Sequence, residues 1–381
     1  MKKIFALLLV LCLLISLVAC RKAPVNEPDN GTQESSSSSS DDTDLPVMQR
    51  PLVAVSIPVI TESETADDGT VIFNYLYQNM KLTLSDADVA RAVIVDFLTR
   101  IDATKPTADN IKAAAKDAYN GGTWTPYLCQ ITYNPMRIDS SVLSLLGTYA
   151  TYEGGARAEA NYISVNYDLA TGTAVSLSNV LSAGASSEAI TGLVISALDA
   201  QKEEKYLYED FADNVKTRFA DHIGDDQGWY FSPNGLCFYF SPREIAPNAS
   251  GVVVAEIPYS KLLGIIKDAY LPAERDAAKG IVKMQNFDPT AFTQIAELIL
   301  DESAPQMMLY TDKAVYDIKI EAGDMIGTKF SSKYAVFAAS SLTPGDAIVL
   351  QAGLDHAPAL KLTYQTDNGS VSAIIKKDGL K

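Results

Sequence analysis

The stretch from residue 228 to residue 262, GWYFSPNGLCFYFSPREIAPNASGVVVAEIPYSKL, restricts the fold more than any other part of the chain. Two short strands, Trp229–Ser232 and Gly235–Ser241, flank Pro233-Asn234, a dipeptide suited to a tight hairpin turn. Leu236, Phe238 and Phe240 alternate with Cys237 and Tyr239. Both faces of the second strand are therefore apolar, which predicts a central strand covered on each side. Pro242, Pro247 and Gly251 then break the chain into an irregular arch, Ser241–Gly251. A third strand, Val252–Ile257, is expected to lead into a helix over Pro258–Ile266, with proline at its first position.

The N-terminus carries an address rather than a fold. Lys2 and Lys3 precede the apolar run Ile4–Val18, and Leu17-Val18-Ala19-Cys20 matches the lipobox of bacterial lipoproteins. Residues 1–20 thus read as a lipoprotein signal peptide, with Cys20 the lipidated residue that holds the protein at the outer face of the cell membrane. Each buried lipid methylene contributes about 0.8 kcal/mol to such an anchor, and the apolar run is short for a spanning helix. Residues 21–50, with Ser35–Ser40 followed by Asp41, Asp42 and Asp44, contain too little apolar surface to fold and read as a disordered tether. The net charge of −16 argues against nucleic acid, whose phosphates require Lys and Arg, and permits a basic partner. Cys129 and Cys237 lie in apolar strand contexts and read as two small buried hydrophobes rather than a disulfide.

Along the remaining chain, residues 52–60 (LVAVSIPVI) are expected to form an edge strand that tolerates Pro58. Val71–Thr83 reads as one long strand, and Ser85 as the cap of a helix with Val89, Val93, Phe97 and Ile101 inward. A second helix is expected over Ala108–Tyr119, then strands at Thr123–Tyr133, Ser141–Glu153 and Ala158–Tyr167. After a turn at Asp168–Gly172, two helices place Ile190, Val194 and Leu198, then Leu207, Phe211, Val215 and Phe219, at intervals of four. Residues 269–287 read as a linker with some helical content. Asp288-Pro289 opens a predicted short helix through Ile299, and six short strands between Met307 and Lys376 predict a small β-sandwich or barrel.

In this order the motifs resemble the extracytoplasmic domain of RsiV-type anti-sigma factors, and the similar N-terminal region of PdaC-type peptidoglycan deacetylases. The resemblance rests on Gly154-Gly155-Ala156, Asn166-Tyr167-Asp168-Leu169 with Thr171-Gly172, Gly235-Leu236 with Phe238-Tyr239-Phe240, Glu244-Ile245-Ala246-Pro247 and Ile257-Pro258-Tyr259. It covers about residues 52–268 and implies a Gram-positive envelope module whose relatives bind lysozyme. Arg157 stands where such domains usually carry histidine, Arg243 where an aromatic is common, and Asn248 where tyrosine is frequent. No sigma-binding segment or deacetylase domain accompanies the resemblance.

No residue pattern points to catalysis. His222 and His356 lack metal-ligand spacing, and no nucleophile elbow or phosphate loop occurs. The arch and the Gly154–Arg157 loop, if they meet at one end of the sheet, would form a binding surface of Gly154, Gly155, Arg157, Tyr239, Pro242, Arg243, Glu244 and Pro247. The alternative is that the prolines merely shape a crossover and Glu244 satisfies backbone donors. The expected fold is α+β: a mixed, mainly antiparallel sheet packed with helices, in halves 51–153 and 154–268, then a β-rich domain over 288–381. The expected function is a non-enzymatic binding or sensing module, without cofactor or metal, for lysozyme or another basic envelope-targeting protein. The alternative is a cell-wall glycan-binding module or weak wall hydrolase.

Overall fold

The computed structural model describes residues 50–222, 228–354 and 358–381. The signal peptide with Cys20, the tether as far as residue 49, Asp225-Asp226 and His356 lie outside the described residues, as does the side chain of His222.

The elements begin with β1 (Ala54–Ser56), β2 (Val59–Thr65), β3 (Val71–Gln78), β4 (Lys81–Thr83), α1 (Ala87–Asp102) and α2 (Lys105–Ala118). Next come β5 (Tyr127–Ile138), β6 (Val142–Tyr152), β7 (Glu159–Asp168), β8 (Thr173–Ala174), α3 (Leu177–Val180), α4 (Ser187–Asp199), α5 (Lys202–Lys205) and α6 (Phe211–His222). The hairpin region supplies β9 (Trp229–Phe231), β10 (Gly235–Phe240) and β11 (Val253–Pro258). The last third holds β12 (Lys283–Asn286), β13 (Gln294–Ile299), β14 (Gln306–Tyr310), β15 (Val315–Ile326), β16 (Lys329–Leu342), β17 (Asp346–Gln351), β18 (Ala359–Thr366), β19 (Gly369–Lys376) and β20 (Gly379–Leu380).

These strands form four sheets, antiparallel except for the β3–β5 and β13–β17 pairs. The mixed, mainly antiparallel α+β fold is therefore present. The apolar faces of α1 and α2, with Val93, Phe97, Ile101 and Ile111 inward, pack on the six-stranded sheet β2-β3-β5-β6-β7-β8. The hairpin pairs as its sequence requires, Phe231 opposite Leu236 and Cys237 opposite Tyr230, and β10 is the centre of the sheet β11-β10-β9. Its Leu236, Phe238 and Phe240 join the core under α4 and α6, while Cys237 and Tyr239 pack with Met136, Leu146 and Tyr162 on β5, β6 and β7. Cys129 and Cys237 are buried free thiols.

The predicted edge strand 52–60 is two strands in two sheets. β1 lies between β16 and β4 in the seven-stranded sheet β20-β19-β18-β15-β16-β1-β4, and β2 forms the edge of the six-stranded one. Pro58, without an amide proton, occupies the crossover. The expected long strand 71–83 divides in the same place: Asn79 N–H reaches the carbonyl of Pro58, and the chain crosses back into β4. Because β1 is central, it is buried on both faces. Ala54 faces the core of the last third, whereas Val53 and Val55 face the core beneath α1 and α2. The 288–381 region thus does not close its own sheet, since β1 and β4 complete it, and the boundary at 153 separates β6 from its antiparallel partner β7.

The cap of α1 is Asp86, whose carboxylate accepts from the N–H groups of Asp88 and Val89, one residue beyond Ser85. Asp288 caps only a 3-10 turn, Pro289–Ala291; Gln294–Ile299 is then β13, parallel to β17, with Ala296 and Leu298 inward. A β17 edge with unpaired backbone groups outweighs the helical reading of Ile295 and Ile299. Pro258 likewise starts a 3-10 turn, Tyr259–Lys261, rather than a helix to Ile266, and Gly264 at φ +74° turns the chain away. Residues 269–287 are fastened rather than loose: Arg275 makes a bidentate pair with Asp317 at 2.6 and 2.7 Å, and Ala278 N–H reaches Asp367 at 2.9 Å.

Candidate functional site

The α1–α2 pair and the β9–β10 hairpin stand over neighbouring parts of the six-stranded sheet and leave a groove of about 940 Å³ between them. Arg100, Thr104 and Thr107 form the helical wall. The floor comes from β5, β6 and β7, including Tyr133, Tyr149, Tyr162 and Ser164. Arg218 of α6, Trp229, Tyr239 and the first residues of the arch, Ser241 and Glu244, form the opposite wall.

The helical wall is set by an i, i+4 pair. Arg100 Nε donates to Asp96 Oδ2 at 2.7 Å, and the Tyr167 hydroxyl donates to the same oxygen at 2.8 Å. Burial works to lower the pKa of Arg100, but the hydrogen bond to Asp96 together with the charge interactions with Tyr167, Asp96 and Tyr133 outweighs it, and the guanidinium stays firmly charged. Nη1 and Nη2 of Arg100 have no acceptor among the described residues. On the opposite wall Arg218 Nη1 donates to Tyr239 O at 3.0 Å and to Glu244 Oε1 at 2.8 Å, and the guanidinium lies 4.7 Å from the Phe240 ring centre. Glu244 Oε2 also accepts from Ser241 N–H at 2.8 Å. This carboxylate therefore satisfies a backbone donor at the start of the arch.

Several polar tips in the groove lack protein partners. Trp229 is 1% exposed, and its indole N–H meets no acceptor among the described residues. Tyr133 is 4% exposed, and its hydroxyl makes no hydrogen bond among the described residues. Burial pushes this phenol up to about 12, against the pull of the Arg100 charge. The Tyr239 hydroxyl has only a long contact with Ser164 Oγ, 3.3 Å, and another with Tyr162 O, 3.5 Å. Buried donors are ordinarily satisfied, so such a concentration at one cavity points to polar atoms that belong to a ligand or to water.

Of the sequence-predicted site residues, Tyr239 and Glu244 line the groove. Pro242, Arg243 and Pro247 lie in the arch outside the lining; Arg243 is exposed, in the left-handed region at φ +74°, with its N–H bonded to Ala246 O. Gly154, Gly155 and Arg157 occupy the exposed β6–β7 loop, where both glycines have positive φ. None of these three lines the groove, and no hydrogen bond or ion pair joins them to the arch among the described residues. The expected single surface of loop and arch is therefore two places. Arg100, Tyr133, Tyr162, Arg218 and Trp229 were not singled out from sequence. Strand alternation marks the elements of Tyr133, Tyr162 and Trp229 and helical spacing those of Arg100 and Arg218, but only the packing of the hairpin on β5–β7 brings them together. Among the described residues, no group of three His, Cys, Asp or Glu side chains could hold a metal ion.

A family model described as a protein of unknown function (DUF3298) matches residues 178–260, the span that runs from α3 through the hairpin into β11. No curated protein matches the chain. Among solved structures, a DUF3298 family member from Bacteroides fragilis is 17% identical, covering 57% of this chain and 94% of its own at a TM-score of 0.44. A DUF3298 family protein from Pseudomonas aeruginosa is 16% identical, covering 57% of this chain and 98% of its own at a TM-score of 0.38.

Proposed function

We propose that this chain is a membrane-anchored extracytoplasmic lipoprotein, lipidated at Cys20, that acts as a non-enzymatic binding module and holds a cell-wall glycan in the groove. The observation that carries the reading is the lining itself: several tyrosines and an indole, with the Trp229 N–H and the Tyr133 O–H lacking partners among the described residues. Sugars present rings of hydroxyls that both donate and accept, and apolar C–H faces that cover aromatic rings. A pocket of about 300–1,000 Å³ is the usual size for such small ligands. Hydrolysis is less well supported. Glycosidases need two carboxyl groups across the scissile bond, whereas Glu244 is the one carboxylate in the lining among the described residues and is held by Arg218.

A second reading is recognition of lysozyme or another basic protein, and the charge favours it. Residues 1–49 hold four Lys and Arg against six Asp and Glu, so nearly all of the −16 belongs to the folded part. Such a partner would be steered by the acidic surface rather than by the groove.

Calorimetric titration of the full-length chain in detergent with a β-1,4-linked N-acetylglucosamine tetrasaccharide tests the first reading. Saturable binding, weakened in Tyr133→Phe and accompanied by a shift in Trp229 fluorescence in a Trp124→Phe background, is expected. Absence of binding both by this sugar and by a carboxylate-bearing tetrasaccharide of equal length refutes the glycan reading. Titration with lysozyme then decides the second, whose electrostatic basis requires affinity to fall sharply as salt is raised to about 1 M.

A further inference from the structure

Resting on the glycan reading, we infer that the groove selects sugars that carry a carboxylate, and that Arg100 receives it. The first argument is local charge. In a chain of net charge −16, the charged members of the groove lining among the described residues are two arginines and one glutamate. The two arginines are not equivalent. Arg218 is committed to Glu244, to the carbonyl of Tyr239 and to the face of Phe240. Arg100 uses Nε alone, on Asp96, and leaves both Nη groups without an acceptor among the described residues.

The second argument is preorganisation. Asp96 Oδ2 is fixed by the Tyr167 hydroxyl at 2.8 Å, and Tyr167 is itself fully buried, so the carboxylate that orients Arg100 is held from behind. A guanidinium anchored at Nε presents its two Nη groups as a fork, the geometry that matches a carboxylate bidentately. The third argument is the company it keeps. The Arg100 charge acts on the Tyr133 phenol, which lines the same groove, is nearly fully buried and has no partner for its hydroxyl among the described residues. A carboxylate on the fork would sit beside that O–H donor, while the Trp229 indole N–H remains for a neutral sugar oxygen. A neutral glycan would leave the fork facing only water.

The test compares two tetrasaccharides of equal length on the full-length chain in detergent by calorimetry. One is the neutral N-acetylglucosamine tetrasaccharide. The other alternates N-acetylglucosamine with glucuronic acid and so carries carboxylates. The acidic sugar is expected to bind about tenfold more tightly or better, as a charge-assisted bidentate contact implies. In Arg100→Gln the ratio of the two affinities is expected to collapse towards one, and in Arg100→Lys, which keeps the charge without the fork, to be only partly restored. Circular dichroism of each variant confirms that it is folded. Equal affinities in the unsubstituted chain overturn this inference and leave the glycan reading standing. An acidic preference that survives Arg100→Gln overturns the assignment to Arg100. No binding of either sugar overturns the reading on which the inference rests.

Discussion

Arg137 ties β5 to the chain that follows β11, and its replacement by alanine is expected to destabilise the fold by about 3–5 kcal/mol, the usual effect of removing one partner of a buried ion pair. The guanidinium is almost wholly buried. Nε donates to Asp139 Oδ2 at 2.6 Å, and Nη1 donates both to the Tyr259 hydroxyl and to Tyr270 O at 2.7 Å. Nη2 comes within 2.6 Å of the same Asp139 oxygen but meets no acceptor in hydrogen-bonding alignment. The guanidinium carbon lies 5.4 Å from the Phe231 ring centre and 5.2 Å from that of Tyr259.

The losses differ by partner. Asp139 Oδ1 keeps the N–H groups of Ser141 and Val142, and the Tyr259 hydroxyl keeps Ser232 O, but Asp139 Oδ2 loses both guanidinium contacts and its charge is left uncompensated. Tyr270 O loses its donor, worth about 1–3 kcal/mol, and two cation–π contacts contribute about 0.5–2 kcal/mol each when desolvated. Arg137→Met keeps much of the aliphatic packing and should recover part of the loss. Urea unfolding followed by tryptophan fluorescence measures both variants, and the slope should stay unchanged. A loss below about 1 kcal/mol for Arg137→Ala at constant slope would refute the reasoning, because the guanidinium would then be no more than a filler.

Four further outcomes follow from the structure. Gly235→Ala would drive a Cβ to within 2.1 Å of Ile257 O on the neighbouring strand, so the hairpin must shift; a loss of at least about 1–3 kcal/mol in urea is expected, and an unchanged midpoint would contradict the close approach. Burial pushes the Cys129 thiol up to about 11 and the Cys237 thiol up to about 12, so a thiol reagent at pH 8 should label both slowly in the native chain and quickly in urea. Because these raised values keep the proton in the folded state while the unfolded thiols lose theirs near 9, stability should fall as pH rises above about 9, and less steeply in the Cys129→Ala/Cys237→Ala double variant. Asp346, fully buried, accepts from the N–H and hydroxyl of Thr343 and from the side-chain amide of Gln294, which in turn holds Arg50 and Leu52. Asp346→Ala should cost about 1–3 kcal/mol and raise amide exchange at Leu52; protected exchange there would count against the linkage.

Much of the local structure was legible because local chemistry dictates it. Alternation from Leu236 to Phe240 required a strand covered on both faces, and β10 is one. Valine, phenylalanine and isoleucine at intervals of four gave α1, and the same spacing gave α4 and α6. Single-residue errors, such as Ser85 for Asp86, arose because adjacent residues could both accept from the free N–H groups. The binding surface was only partly legible. Tyr239 and Glu244 were found through the arch, but Arg100 and Tyr133 are separated from them by more than a hundred residues and carry no motif.

By itself, then, the sequence determined the type of most elements, the hairpin and the inward faces of α1, α4, α6 and β10, since these depend on periodicity and on the backbone limits of proline and glycine. Tertiary structure alone decided which sheet each strand joined. Residues 52–60 are one apolar run in sequence, yet β1 and β2 part at Pro58 because two different sheet edges each had backbone groups to satisfy. Gln294–Ile299 could be helix or strand until β17 offered it a partner. The groove belongs to the same class of decision: it is the space left where a helix pair and a hairpin cover one sheet side by side, and no segment of the chain encodes that space alone.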